Sequence, residues 1–225
     1  MWCVPQIDEE YIHRMEDVLE LYNRPINKLE PVVCLDEKPI VLHDSTRAAY
    51  PMKPGRVARK DYEYKRCGTA NTFCILSPKE GRHLTFASRN RKRPAFADAI
   101  LKIAHAYPRA HTIHLVLDNL NTHNEKSLIE RFGPTRGAKL WARFSVHYTP
   151  KHASWLNQAE IGISLYSREC LGKRRIPTFE QLEAETKRWS ESANDARRRI
   201  EWKFTVRKAR TSFGYVRGVR SGSRD

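Results

Sequence analysis

Apolar positions along the chain change period several times, and each change marks an expected element. Ile7, Tyr11, Met15, Val18, Leu19 and Tyr22 recur every three or four residues, which predicts a helix over 7–23. Pro25 and Pro31 bracket a linker. Val32-Val33-Cys34-Leu35 is apolar on both faces and stops at Asp36, the signature of a buried central strand. From Pro39 to Tyr62 the pattern predicts a strand followed by a long basic loop. Residues 64–77 and 82–88 carry β-branched and aromatic side chains between turn signals, which predicts two hairpin-linked strands.

A helical period returns over 94–107 through Phe96, Ile100, Ile103 and Tyr107, with Pro94 at the first turn. Thr112 to Leu117 form a second apolar run that stops at Asp118. Helices are expected over 122–132 and 135–143, split by Gly133-Pro134. Phe144, Val146 and Tyr148 alternate as a short strand. Trp155, Ala159, Ile163, Tyr166 and Cys170 predict a helix over 154–171. Phe179 through Ile200 predict another over 178–200, opened by a Thr178/Gln181 capping box. The Gly-, Ser- and Arg-rich tail from Ser212 is expected to be loose. Hairpin-linked strands followed by strand–helix–strand crossovers imply a mixed sheet of five strands flanked by helices, the order of a ribonuclease-H-like α/β fold. The expected organisation is an N-terminal helix and linker (1–30), a core (31–175), and a C-terminal helix with a basic tail (176–225).

Composition narrows the partner. The 225 residues hold 41 Lys and Arg against 26 Asp and Glu, a net charge of +15, which favours a polyanion. The cations cluster at 47–66, 89–93, 173–175 and 197–199, and such clusters meet phosphate without regard to base sequence. The five cysteines make no C-x-x-C pair, so neither a disulfide framework nor a zinc site is expected, and a reduced cytoplasmic setting fits. No apolar run approaches membrane-spanning length, and the N-terminus has neither the basic head nor the apolar stretch of a signal peptide.

Three acids sit in awkward places. Asp36 and Asp118 end the two apolar runs, where α/β sheets build their sites. Adjacent strands lie about 4.8 Å apart, so the two carboxylates are within reach of a shared pair of cations. Glu160, the third acid, lies on the helix expected over 154–171, four residues after Leu156 and three before Ile163, and is expected beside an apolar surface where a charge needs a partner. Oxygen ligands without a His or Cys cluster favour Mg²⁺ or Mn²⁺. A one-residue register shift would aim Glu37 into the site instead of Asp36, and Asp118-Asn119 also suits a plain turn or helix cap.

Three blocks carry a family resemblance: Cys34-Leu35-Asp36-Glu37-Lys38-Pro39, Val116-Leu117-Asp118-Asn119-Leu120-Asn121-Thr122-His123, and His147 through Glu160 with Tyr148-Thr149-Pro150-Lys151-His152 and Asn157-Gln158-Ala159. In this order they resemble the DDE transposases of bacterial insertion sequences, in the "IS six-thirty" branch of the mariner-like superfamily. The resemblance runs from Trp2 to about Tyr215, with Gln158 standing where members usually have Met. It implies a ribonuclease-H-like core with Asp36, Asp118 and Glu160 as a metal-binding triad for Mg²⁺, with Mn²⁺ as substitute. The implied reaction is DNA strand cleavage and strand transfer into a TA target by a cytoplasmic, nucleoid-associated bacterial enzyme, dimeric on DNA. Asn119, Asn121, His123 and Asn157 are expected to support the triad. Lys151, His152, Arg91, Lys92 and Arg93 are expected on DNA. Members usually carry a helix-turn-helix region ahead of the core. This sequence starts near where that region would end, which points to a frameshift product that works with an upstream reading frame, or to a truncated copy. A non-catalytic DNA-binding remnant that modulates a full-length transposase is the competing expectation, and a structure-selective nuclease of the same fold is another.

Overall fold

The computed structural model describes residues 7–59 and 61–215. The strands are β1 (Val32–Ser45), β2 (Tyr64–Ser77), β3 (Arg82–His83), β4 (Phe86–Ser88), β5 (Ile113–Leu117) and β6 (Phe144–Tyr148). The helices are α1 (Glu9–Asn23), α2 (Arg93–Ala106), α3 (Glu125–Phe132), α4 (Pro134–Trp141), α5 (Ala159–Tyr166), α6 (Phe179–Ala196) and α7 (Val206–Phe213). One sheet runs in the order β3-β2-β1-β5-β6, with β4 also on β2. β1 is antiparallel to β2 and parallel to β5, and β5 is parallel to β6. This mixed sheet with helices on it is the ribonuclease-H-like arrangement expected from the element order.

Side-chain alternation along β1 and β5 assigns each face to one set of helices. Val33 and Leu35, with Leu115 and Leu117, pack under Phe96, Ile100 and Ile103 of α2 and Leu128 of α3. Cys34 and Val116 point the other way, onto Met15, Val18, Leu19 and Tyr22 of α1 and Ala159 of α5. A third cluster joins Leu42 and Cys74 to Tyr166, Leu182 and Trp189. Under α1 a hydrogen-bond chain is complete when both imidazoles carry their proton on Nδ1. Arg24 then donates to His114 Nε2 (3.4 Å), His114 Nδ1 to His147 Nε2 (3.0 Å), and His147 Nδ1 to Asp17 (2.6 Å). Burial, then the neighbouring His147 and Arg24, holds His114 below its ordinary pKa and therefore neutral.

Several boundaries differ from expectation. β1 does not end at Asp36 but runs on to Ser45, because β2 pairs with it along that whole length. The apolar run ends where the β5 pairing ends, at Cys34 opposite Val116. The expected strand over 82–88 is two short ones, so the sheet has six strands, not five. At this edge the Asn194 side chain of α6 takes both backbone groups of His83, at 2.7 and 2.9 Å, where a neighbouring strand would bond. The helix expected over 154–171 is a 3₁₀ turn (Ser154–Leu156), then α5, then a π turn (Ser167–Leu171). α6 stops at Ala196 because Arg197 turns left-handed at φ 43°, so the Arg197–Arg199 run lies off the helix. Thr178 caps α6 as expected, but the Gln181 side chain bonds Glu185 rather than closing the box. α7 was not anticipated. Thr205 caps it, Ala209 buries in the α1 cluster, and Arg210 makes a two-pronged bond to buried Glu16. Ser212 and Phe213 thus belong to a helix, and the tail beyond Tyr215 lies outside the described residues.

Tyr166 closes α5 onto α6. Its fully buried hydroxyl lies 2.7 Å from Thr186 Oγ1 and 3.3 Å from Thr72 Oγ1. Tyr166→Phe should cost about 1–2 kcal/mol by urea denaturation, since two buried hydroxyls lose a partner. Tyr166→Ala should cost about 3–5 kcal/mol through the cavity it leaves.

Candidate active site

The parallel register pairs Cys34 with Val116, so two residues further along Asp36 comes level with Asp118. Asp36 shares the parity of Cys34 and belongs to the face covered by α1 and α5, whereas Asp118 lies just past β5 and bonds His123, which stacks on Phe96 of α2. Neighbours on a strand point oppositely, so Glu37 turns toward the α2 side and Asp36 away from it. Glu160 stands in the first turn of α5, the helix that lies over β1 and β2. The charges of Glu160 and Asp118 both act on Asp36.

Their electrostatics agree. Burial pushes the Asp36 carboxyl up to about 7. The Glu37 N–H, at 2.7 Å, works against this, while the charges of Glu160 and Asp118 add to it. Asp118 behaves differently: burial opposes its ionisation, but the hydrogen bond and charge of His123 outweigh that and hold it below the usual carboxylate range. Glu160 is exposed, which corrects the expectation that it borders an apolar surface. The reason is local. α5 begins only at Ala159, so Leu156 lies in the preceding 3₁₀ turn rather than one helical turn below Glu160.

The supporting residues divide. His123 is fully buried, stacks on Phe96 at 4.6 Å, and reaches Asp118 Oδ1 from Nδ1 (2.7 Å) and Glu37 Oε1 from Nε2 (2.8 Å). Burial disfavours its charge, yet the two carboxylates prevail and raise its pKa to about 9. The Tyr148 hydroxyl donates to its carbonyl at 2.6 Å. Asn119 donates to the Thr149 carbonyl and accepts from Arg14 of α1. Asn157 is buried; its Nδ2 donates to the Leu35 carbonyl (2.8 Å) and its Oδ1 accepts from Ala159 N (3.1 Å). One side chain therefore connects the strand of Asp36 to the first turn that carries Glu160. The Asn121 carbonyl accepts from Asn124, and its side chain is exposed. Sequence reasoning did not anticipate Glu37 as the second partner of His123. Its signal was an acid inside an otherwise buried stretch of strand.

Among the expected DNA contacts, Lys151 and His152 are exposed, and His152 holds a left-handed φ of 61°. Arg91 acts on Asp118 through its charge, Lys92 precedes α2 as its N-cap, and Arg93 pairs with Glu130. Trp189 is core, in edge contact with Tyr166 and His83. Among the described residues no group of three or more His, Cys, Asp or Glu side chains is placed to hold a metal ion. By donor type alone Asp36, Asp118 and Glu160 suit a divalent cation, since they offer only oxygen.

Residues 31–183 match the DDE superfamily endonuclease family, and the chain belongs to it. No curated protein sequence matches the chain closely enough to be informative. Among solved structures the fold is similar to the Mos1 mariner paired end complex with Mn (TM-score 0.55, 13% identity, covering 85% of this chain and 58% of that one). It is also similar to the Mos1 strand transfer complex (0.55, 14%, 85% and 57%) and to the Mos1 paired end complex with Mg (0.50, 12%, 88% and 59%). The chain therefore spans under two thirds of the length of these relatives.

Two of the shifted groups, Asp36 and His123, make the stability of the metal-free protein depend on pH between 4 and 9. Asp36 titrates near 7 folded and near 3.8 unfolded, so its ionised form is penalised in the fold. That penalty is absent below about pH 4 and complete above about 7. His123 titrates near 9 folded and 6.5 unfolded, so its stabilisation is full below 6.5 and lost as pH rises through 9. In EDTA, Tm should fall from pH 5 to pH 9. Asp36→Asn should raise Tm at pH 8 and leave it unchanged at pH 4, and His123→Gln should flatten the decline above pH 6.5. A thermal scan in which Asp36→Asn gains nothing at pH 8 would contradict the strained carboxylate cluster.

Proposed function

We propose that this chain is the catalytic portion of an insertion-sequence transposase that cleaves DNA and joins the freed strand to a new site. What supports this reading is that the charges of Asp118 and Glu160 both act on Asp36, in a member of the DDE endonuclease family. Mg²⁺ ions, with Mn²⁺ as substitute, would be held by Asp36 with Asp118 and by Asp36 with Glu160, and would supply activation of the attacking oxygen and stabilisation of the leaving 3′-oxygen. The remaining work belongs to the chain. His123, charged and locked by Glu37, keeps Asp118 ionised and turned into the site. Asn119 ties the segment after β5 to the Thr149 carbonyl. Asn157 holds the start of α5, and hence Glu160, against the strand of Asp36. Lys151, His152, Arg91, Lys92 and Arg93, with Asn121, would grip phosphates, and such contacts position DNA without reading its sequence.

In this reading the substrates are double-stranded element ends and a TA-containing target. The active form is a dimer on DNA, and the setting is a bacterial nucleoid. End recognition would come from a helix-turn-helix module, either on the same polypeptide or on the product of an upstream reading frame.

The purified protein should nick supercoiled or end-bearing DNA in Mg²⁺ or Mn²⁺, and bind without cutting in Ca²⁺, whose looser coordination holds a poor in-line geometry. Asp36→Ala and Asp118→Ala should abolish nicking while salt-sensitive DNA binding survives. Glu160→Gln should lose cleavage with Tm kept or raised, because like charges are relieved. Full cleavage by any of these variants would refute the triad. DNA binding without cleavage by the unaltered chain would favour a modulating remnant.

A further inference from the structure

α1 packs on the face of Cys34 and Val116, and its side chains reach the segments around all three acids. Near its start Arg14 donates to Oδ1 of Asn119, the residue after Asp118, while another of its nitrogens pairs with Glu10 one turn back at 2.6 Å. In the middle Asp17 accepts from His147 Nδ1 of β6 at 2.6 Å. In the last turn the buried Tyr22 hydroxyl donates to the Leu156 carbonyl at 2.8 Å and accepts from the Gln158 N–H at 3.4 Å. It also lies 3.3 Å from Cys34 Sγ of β1, two residues before Asp36.

The bonds at the two ends of α1 each act on an acid at one remove. The sheet holds the chain up to Asp118, since the Thr149 N–H donates to the Leu117 carbonyl at 2.8 Å. Just beyond, Asn119 is held by its side chain: Nδ2 donates to the Thr149 carbonyl and Oδ1 receives Arg14. A flipped amide would set donor against donor at Arg14 and acceptor against acceptor at Thr149. The cation therefore fixes which way Asn119 binds, and with it how the chain leaves Asp118. At the far end, Tyr22 grips Leu156 and Gln158, the residues on either side of Asn157, against β1. Burial raises this hydroxyl well above its ordinary pKa, so it stays neutral and donates and accepts at once. Glu160 follows in the first turn of α5.

We propose that α1 is a strut with two independent arms, in which Arg14 positions Asp118 and Tyr22 positions Glu160. The inference rests on the triad reading above. Both are positioning residues: each acts through a neighbour of an acid and needs no contact with substrate. Independence follows from spacing. Tyr22 comes eight residues after Arg14, about 12 Å along a helix at ~1.5 Å per residue, and the two side chains share no hydrogen-bond partner. In the triad reading, the Arg14 arm governs the cation held by Asp36 with Asp118, and the Tyr22 arm the cation held by Asp36 with Glu160. Groups that orient a metal ligand are worth about 10–100-fold in affinity. The Arg14 side chain is 32% exposed, so a phosphate contact is the role its variants must separate from positioning.

The test is Mn²⁺ binding to the full chain, read from the paramagnetic resonance signal of the free ion, beside a salt titration of duplex binding and a melting curve in EDTA. Arg14→Ala should weaken Mn²⁺ binding by about tenfold or more, with the salt slope and Tm nearly unchanged. Adding Asn119→Ala to it should cost nothing further, because the two act through one bond. Tyr22→Phe should lower Tm, and should also weaken Mn²⁺ binding well below that temperature, but not when Glu160→Gln is already present. Arg14→Ala with Tyr22→Phe should multiply the two losses. A salt slope lowered by about 0.9 in Arg14→Ala, with Mn²⁺ affinity intact, would overturn the first arm and make Arg14 a phosphate contact. A Tyr22→Phe protein that melts lower yet binds Mn²⁺ as before would overturn the second. If Asp36→Ala binds Mn²⁺ as well as the unaltered protein, the triad reading falls together with the strut. If Asp36→Ala loses Mn²⁺ and the Arg14 and Tyr22 variants do not, the strut alone falls.

Discussion

Everything at the site depends on one buried imidazole. His123 sits with no exposed side-chain surface between a carboxylate on β1 and one just past β5. A charged group in such a place is tolerable only when it is paired and hydrogen-bonded on every side, and here both ring nitrogens are used. The consequence is geometric as much as electrostatic. Glu37 is fixed in the sheet by β2, so His123 is fixed by Glu37, and Asp118 by His123. An acid at the frayed end of a strand thereby gains the rigidity of the strand interior.

Glu160 reaches the same place by another route. Its helix starts abruptly after a 3₁₀ turn, and Asn157 sets that start by bonding the Leu35 carbonyl and the Ala159 N–H. Further along, Tyr166 anchors the other end of α5 against Thr186 of α6. The helix is thus held at both ends while the carboxylate stays exposed. Of the three acids, Asp36 is the strained one, Asp118 the clamped one and Glu160 the open one.

Much of this was written in the chain at short range. The apolar runs at 32–35 and 113–117 announce central strands because burial on both faces leaves no polar alternation, and the acids after them follow from that. The helical periods of α1, α2 and α6 were equally plain. What was hidden depends on partners distant in sequence. Whether β1 stops at Asp36 is decided by β2, some forty residues later. The break before α5 is decided by the bond from Asn157 to Leu35. α7 is short and strongly basic, and it declares itself only through Ala209 and the Arg210–Glu16 pair once α1 is in place. Choosing between Asp36 and Glu37 needed the register of β1 on β5, since adjacent acids on a strand are equivalent until a face is covered.

The Asn157 bridge also bears on how such a chain can change over generations. Loop-closure entropy grows slowly with length, so the segment between Ser45 and Tyr64 can gain or lose residues at little thermodynamic cost. The four positions from Asn157 to Glu160 have no such latitude. One side chain there spans from a strand carbonyl to the first amide of a helix, and an added or deleted residue would rotate Glu160 by about 100°, one helical step, away from Asp36. Length variation should therefore gather in the hairpin and be purged from this tetrapeptide, even where its individual residues drift.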